Sequence, residues 1–128
     1  MGRMLQPRDR VTANHRVMFH ATTEAAARAI LNSQKMQRGA SGAAGGGIYF
    51  AASPVDARRK ARTTGSVILA ARVALGRSKV ISSVDPSITF TSLLREGYDS
   101  VHLTAFNGGD EFIVYNWDQV RQIESVGH

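Results

Sequence analysis

The chain of 128 residues has no cysteine, only three prolines, and no apolar run close to the length of a membrane-spanning helix. The absence of cysteine excludes disulfide scaffolds, Cys-ligated zinc, iron–sulfur clusters and thiol nucleophiles. The amino-terminal residues are polar and basic and lack the apolar core of a secretory signal. We therefore expect a cytoplasmic protein without membrane partners, or a toxin or effector delivered by a route that the sequence does not show. The histidines are too scattered to predict a metal site (His15, His20, His102 and His128).

Acidic residues are few, ten against sixteen Lys and Arg, and the formal net charge is +6. The imbalance lies in one part of the chain. Residues 1–95 carry fifteen basic and four acidic side chains, whereas residues 96–128 carry one basic and six acidic. Thirteen of the basic residues are Arg, whose planar guanidinium matches phosphate geometry. Such a surface predicts a phosphate-bearing ligand or nucleic acid, or else a merely solvated Arg-rich exterior.

The length is that of one domain, which we place at residues 16–128 after a flexible basic segment at residues 1–15. Capping signals predict three helices, over 25–31 after Thr22 or Thr23, over 54–62 after Ser53, and over 88–95 before Gly97. Short apolar runs predict strands at 16–20, 48–51, 67–75, 79–82, 100–103, 111–115 and 120–123. The glycine-rich stretch 34–47 predicts a mobile loop. Many short strands with few helices predict an α+β fold.

Four short motifs follow one another along the chain: FHATT at 19–23, GGGIYFA at 45–51, ARVALG at 71–76 and DEFIVYNWDQV at 110–120. Each motif alone is typical of an ordinary strand or strand end. Together and in this order they resemble the ADP-ribosyltransferases of the poly(ADP-ribose) polymerase type, also called the diphtheria-toxin-like or H-Y-E class. The resemblance covers roughly residues 16–123, and four ordered motifs are far more specific than any single one.

The resemblance implies a role for each motif residue. His20 matches the histidine that holds the adenosine-side ribose of NAD⁺, and Thr22 matches the hydroxyl residue that assists it. Tyr49 matches the tyrosine that packs on the nicotinamide ring, and Glu111 matches the catalytic glutamate. Ala21 stands where the family has a glycine whose backbone grips the nicotinamide carboxamide. That contact survives the change to alanine only if the backbone dihedrals suit an L-residue.

The resemblance also implies a fold. We expect the ADP-ribosyltransferase fold, in which two small antiparallel sheets form a split β-sandwich with flanking helices and NAD⁺ lies in the cleft between them. The strands at 67–75 and 111–115 are expected near the sheet centres, and the loop at 38–47 at the rim of the cleft.

The helix after the IYFA strand departs from the family pattern. Classical members carry there a second tyrosine that completes the nicotinamide sandwich and a serine that binds its amide. This chain has Lys60 or Ala61 near the tyrosine position and no serine near Ala57. Nicotinamide binding is therefore expected to differ, and nicotinamide-like inhibitors are expected to bind poorly.

The two phosphates of NAD⁺ need cationic or N–H partners. The candidates in the sequence are Arg38, the glycine loop at 39–47 with Gly47 at its end, and the basic helix at 58–62, which includes Lys60. The basic helix is equally compatible with a solvated face.

The implied function is that of a monomeric, metal-independent mono-ADP-ribosyltransferase that cleaves the nicotinamide–ribose bond of NAD⁺. The macromolecular acceptor is a protein or a nucleic acid, and the short loop offers little surface for a growing polymer. An NAD⁺ glycohydrolase with water as acceptor stays open as an alternative. A non-catalytic module that binds NAD⁺ or nucleic acid is a third alternative, which the presence of His20, Tyr49 and Glu111 disfavours.

Overall fold

The computed structural model describes residues 14–60, 67–106 and 109–126. The first thirteen residues, most of the predicted amino-terminal segment, lie outside the described residues. The described strands and helices, in chain order, are β1 (His15–Thr22), α1 (Glu24–Ser33), β2 (Ile48–Phe50), α2 (Pro54–Lys60), β3 (Val67–Ala74), β4 (Ser78–Ile81), α3 (Phe90–Glu96), β5 (Ser100–Phe106), β6 (Gly109–Val114), a 3-10 turn (Trp117–Gln119) and β7 (Val120–Ser125). None of the described helices is long and apolar enough to cross a membrane.

Side-chain caps begin the helices where the sequence predicts them. Of the two threonines before α1, Thr23 is the cap, and its Oγ1 accepts a hydrogen bond from the Ala26 amide at 3.2 Å. Ser53 caps α2 by accepting from the Asp56 amide at 3.1 Å. Gly97 ends α3 in the left-handed conformation at φ 86°, which glycine adopts without steric cost. The end predicted for α2 beyond Lys60 lies outside the described residues.

The strands form two sheets, of order β1-β3-β7 and β2-β6-β5-β4. The first sheet is antiparallel throughout, and the strands predicted to be central, β3 and β6, are interior to their sheets. One part of the prediction is wrong, because β4 and β5 pair in parallel, with Ser78 opposite Ser100. The cause is α3, which lies between these two strands in sequence. A parallel pair requires such a crossover connection, whereas a hairpin turn joins antiparallel strands.

The main hydrophobic core lies between the two sheets and contains side chains from both. The first sheet contributes Met18, Leu69 and Val73, and the second contributes Phe50 and Phe112. α1 covers one end of this core with Ala27, Ile30 and Leu31. β1 is less buried than its apolar sequence predicts, since Met18 is its one fully buried residue. The reason is that β1 is the edge strand of its sheet.

The glycine-rich residues 35–47 are irregular, as predicted, and they pack on the outer face of the second sheet. Ala44 is fully buried there, and its carbonyl accepts a hydrogen bond from the Tyr115 hydroxyl. Backbone hydrogen bonds join Gly39 to Gly47 at 3.0 Å and Asp85 to Ala43 at 2.7 Å. These contacts give the loop a defined path beside β2.

The two sheets meet at their edge strands β1 and β2. The amides and carbonyls of Phe19 and Ala51 exchange two hydrogen bonds, at 2.9 and 2.8 Å, and form an isolated antiparallel bridge. This bridge brings the first and second sequence motifs side by side.

Candidate functional site

A cleft of about 130 Å³ opens beside the bridge between β1 and β2. It brings together five residues that the sequence analysis singles out, although they lie up to 91 positions apart: His20, Ala21, Tyr49, Lys60 and Glu111. Its other walls are side chains that flank the motif residues, namely Phe19, Phe50, Ala51 and Ala57. The sequence analysis named none of these apolar residues as site residues. The available signal was that Phe19, Phe50 and Ala51 lie within the same two motifs as His20 and Tyr49.

A second cavity, of about 350 Å³, adjoins the first. His20 and Tyr49 line both cavities, so these two side chains stand where the cavities meet. Thr22 and Gly47 line the second cavity only, together with Gly39 and Ser41 of the loop. We call these two neighbouring cavities together the groove; Glu111 lines the first of them, and Gly39, Ser41 and Gly47 line the second.

The environment of His20 fixes its tautomer. Its Nδ1 lies 2.6 Å from the carbonyl oxygen of Tyr49, and because a carbonyl can only accept, Nδ1 carries the proton. Burial lowers the pKa of His20, and the hydrogen bond to the Tyr49 backbone opposes this effect only in part. The ring is therefore neutral at pH 7, and its Nε2 presents a lone pair that can accept a hydrogen bond from a hydroxyl group.

Ala21 presents its backbone to the cleft. The N–H and C=O of Phe19 point toward Ala51, which follows β2, and away from β3. Because backbone groups alternate in direction along an extended strand, those of Ala21 also point away from β3, and Ala21 lines the cleft. Ala21 has a negative φ, so alanine fits here without strain. The substitution of alanine for the family's glycine is thus compatible with a backbone contact to a ligand.

The ring of Tyr49 is held by its hydroxyl group. The hydroxyl donates to the Gly45 carbonyl at 2.6 Å and accepts from the Ala44 amide at 2.8 Å. Burial raises the pKa of the phenol, the Ala44 amide opposes this rise and the charge of Glu111 adds to it. The phenol is therefore protonated at neutral pH. Both hydrogen bonds tie the ring to the glycine loop, which leaves a fixed flat apolar surface in the cleft.

Glu111 and Lys60 form an ion pair across the cleft. Glu111 Oε2 lies 3.8 Å from Lys60 Nζ, which also donates a hydrogen bond to the Gly109 carbonyl at 3.0 Å. Each side chain is only 13% exposed. Burial raises the pKa of the Glu111 carboxyl, and the Lys60 ammonium opposes this rise. Glu111 reaches the cleft because residues alternate along β6, so that its neighbour Phe112 faces the core.

The sequence placed Lys60 or Ala61 near the position of the family's second tyrosine. Of these two, Lys60 is described, and it lines the cleft together with Ala57 one turn earlier on α2. Ala61 lies outside the described residues. Lys60 and Ala57 bring an ammonium group and a methyl group to the cleft, where the resemblance implies an aromatic ring and a hydroxyl.

The structure does not bring Arg38 into this groove. Its Nη1 donates to the Tyr115 carbonyl at 2.8 Å, and its guanidinium carbon lies 5.3 Å from the centroid of the Phe90 ring. It lines another cavity, which shares Gly39 with the second one. Arg58 and Arg59 do not line the groove either, and Arg59 pairs with Asp56 at 3.4 Å. Of the basic residues proposed for the phosphates, Lys60 is the one that the described structure places in the cleft.

Gly47 has a packing role as well as its place in the second cavity. A Cβ added to Gly47 would lie 2.5 Å from Ile113 Cγ2 and 3.1 Å from Tyr115 Cε2. The glycine thus lets the end of the loop lie close against residues 113–115.

No protein-family model matches this chain, and no curated protein matches it. The interpretation of the groove therefore depends on its own residues and their geometry. Among the described residues there is no group of three or more His, Asp or Glu that could hold a metal ion.

Proposed function

We propose that this chain is an ADP-ribosyltransferase that uses NAD⁺ and transfers single ADP-ribose units to a macromolecule. The observation that carries the proposal is the convergence of His20, Tyr49 and Glu111 on one groove. Three separate sequence motifs supply these residues, and the family that the motifs resemble uses a histidine, a tyrosine and a glutamate for this chemistry. The proposal includes the ADP-ribosyltransferase fold, which the two sheets and the cleft between their edge strands support.

The groove offers contacts to the adenosine-side ribose, the phosphates and the nicotinamide of NAD⁺. The Nε2 lone pair of His20 would accept a hydrogen bond from a hydroxyl of the adenosine-side ribose, with Thr22 beside it. The Tyr49 ring would stack on the nicotinamide ring, whose cationic form favours an aromatic face. The backbone N–H and C=O of Ala21 would pair with the carboxamide. The backbone of the loop near Gly47 would border the phosphates.

Glu111 would act on the bond between C1 of the ribose and the pyridinium nitrogen. When this bond breaks, its electron pair leaves with nicotinamide, which becomes neutral, and positive charge develops on the ribose. An ionised Glu111, hydrogen-bonded to the ribose 2′-hydroxyl, would stabilise that charge. An oxygen or nitrogen of the acceptor then bonds to C1 and gives up a proton. If water is the acceptor, the products are free ADP-ribose and nicotinamide.

The basic charge of residues 1–95 supports a polyanionic acceptor, either a nucleic acid or an acidic protein. The experiment that tests the proposal is incubation of the purified chain with ³²P-labelled NAD⁺ and cell lysate, followed by nuclease or protease, with free nicotinamide quantified. We expect nicotinamide release and labelled macromolecules. Label removed by nuclease identifies a nucleic acid acceptor, and label removed by protease identifies a protein acceptor. If nicotinamide is released but no macromolecule is labelled, the chain is an NAD⁺ glycohydrolase and not a transferase. If the folded protein releases no nicotinamide, the proposal is overturned.

We expect Tyr49→Ala to weaken NAD⁺ binding by about tenfold, because it removes the stacking surface, while the rate at saturating NAD⁺ changes less. Isothermal titration gives the dissociation constant, and nicotinamide release at saturation gives the rate. Tyr98→Ala is the matched control, since Tyr98 stacks under Arg77 and is not among the residues that line the groove. Unchanged NAD⁺ affinity in Tyr49→Ala would contradict the assigned role.

A further inference from the structure

We propose that Lys60 is a positioning residue for Glu111, holding the carboxylate ionised and in place on the wall where the family has an aromatic ring. The inference rests on the proposed function, because it concerns how Glu111 is made ready for the chemistry. Sequence reasoning offered Lys60 as a phosphate ligand or as a residue on a solvated face. The geometry points to a third role.

The helix that carries Lys60 is held by a cap and by packing. Ser53 caps α2, and Ala57 is buried in a cluster with Ala51, which follows β2, and Ile68 of β3. Lys60 follows Ala57 by three residues and so lies on the same face of the helix. This placement, rather than a flexible loop, brings the ammonium group to the cleft.

The ammonium group of Lys60 contacts oxygen atoms of β6. It donates to the Gly109 carbonyl at 3.0 Å and lies 3.8 Å from Glu111 Oε2. Both belong to β6, on either side of residue 110. Lys60 thereby ties α2 to the start of β6 and limits the positions open to the Glu111 side chain. Because each of the two side chains is only 13% exposed, this pair is far less solvated than an ordinary surface ion pair.

The charged groups around Glu111 show why the cation matters. Lys60 is the one Lys or Arg that lines the cleft among the described residues. The other polar neighbours supply no positive charge: His20 is neutral for the reasons given above, and Tyr49 is protonated. Asp56, on α2, is paired with Arg59 at 3.4 Å. Without Lys60, burial would oppose ionisation of Glu111 with no described cation in the cleft to offset it.

The test compares Lys60→Met, which removes the charge, with Lys60→Arg, which keeps it, and with Lys60→Gln as a second neutral variant. Lys79→Met is the matched control, because Lys79 pairs with Glu96 at 2.7 Å outside the cleft. Two properties are measured in each variant. One is the rate of nicotinamide release from NAD⁺ as a function of pH. The other is the pKa of the Glu111 carboxyl by ¹³C NMR, with its resonance assigned from its loss in Glu111→Gln.

We expect both neutral variants to move the acidic limb of the rate profile to higher pH, with a loss of about tenfold or more at pH 6 and a smaller loss at pH 8. The carboxyl resonance should titrate at correspondingly higher pH. Lys60→Arg should restore the profile of the unmodified protein, and Lys79→Met should leave it unchanged.

An unchanged Glu111 titration in Lys60→Met and Lys60→Gln would overturn the inference, as would an equal loss of rate at every pH. The NMR measurement needs no turnover. It therefore separates the two possible failures. If only the proposed function is wrong, the unmodified chain releases no nicotinamide, but the substitutions at Lys60 still shift the Glu111 titration.

Discussion

Glu111→Gln is expected to lower the rate of nicotinamide release by about 10²–10³-fold while NAD⁺ still binds. The amide has the size of the carboxyl group and can still accept a hydrogen bond from a ribose hydroxyl. It cannot supply the negative charge that stabilises the positive charge developing on the ribose. The loss should therefore appear in the rate at saturating NAD⁺ and hardly at all in the dissociation constant.

Single-turnover nicotinamide release and isothermal titration separate these two quantities. Glu96→Gln is the matched control, because Glu96 pairs with Lys79 on the surface and does not line the groove. If Glu111→Gln kept the unmodified rate, the assigned role of Glu111 would be wrong. If it lost NAD⁺ binding in proportion to activity, Glu111 would be a ligand-binding residue instead.

The thermal stability of Glu111→Gln as a function of pH tests the environment of Glu111 independently of activity. The pKa of Glu111 is raised in the folded protein, chiefly by burial. The carboxyl group therefore favours the folded state most below its unfolded pKa, and this contribution is lost as the pH rises through the folded value. Glutamine carries no such charge. We expect the Tm of Glu111→Gln to equal or exceed that of the unmodified protein at pH 7, and any excess to vanish near pH 4.

The parts of the fold that local chemistry specifies could be predicted from the sequence. Ser53 followed by Pro54 fixes the start of α2, because both residues act within one turn of the chain. The almost unbroken apolar run of Val67–Ala74 predicts a strand buried on both faces, and β3 lies between β1 and β7 with α2 against it. The pairing of β4 with β5 could not be predicted from their short sequences, since its direction depends on how α3 packs.

The candidate site could be predicted as a set of residues but not as a set of contacts. Ordered motifs brought His20, Tyr49 and Glu111 into one hypothesis, and the structure places all three on the groove. The pairing of Lys60 with Glu111 joins residues on a helix and a strand that no local pattern relates. Arg38 shows the limit of a local pattern, because its position beside a glycine loop could not predict its contacts with the Tyr115 carbonyl and the Phe90 ring.

The largest expected effect on stability comes from a residue outside the groove. Gln119 is fully buried, and four hydrogen bonds satisfy its amide group. Its Oε1 accepts from the amides of Tyr115 at 3.3 Å and Asn116 at 3.2 Å, and its Nε2 donates to the carbonyls of Ala74 at 3.2 Å and Asp99 at 2.7 Å. Ala74 ends β3 of the first sheet, and Asp99 leads into β5 of the second. One side chain therefore links the two sheets.

Gln119→Leu is expected to lower the free energy of unfolding by about 3 kcal/mol and the Tm by about 10 °C, because it leaves buried backbone groups without partners. Urea unfolding measures the change, and Gln37→Leu is the control, since Gln37 is exposed and should shift stability by less than about 0.5 kcal/mol. A loss below 1 kcal/mol would mean that water or another side chain replaces these hydrogen bonds.

Gln119→Leu is expected to change stability without changing NAD⁺ binding, because Gln119 lies away from the cleft. Ala74 pairs with His15 at one end of β1, whereas the cleft lies beside residues 19–21, which pair with residues 68–70. The bridge between Phe19 and Ala51 holds the two sheets together at the cleft independently of Gln119. Well below its Tm, Gln119→Leu should therefore bind NAD⁺ with nearly unmodified affinity. A large loss of affinity in the folded variant would show that the link at Gln119 sets the spacing of the cleft as well.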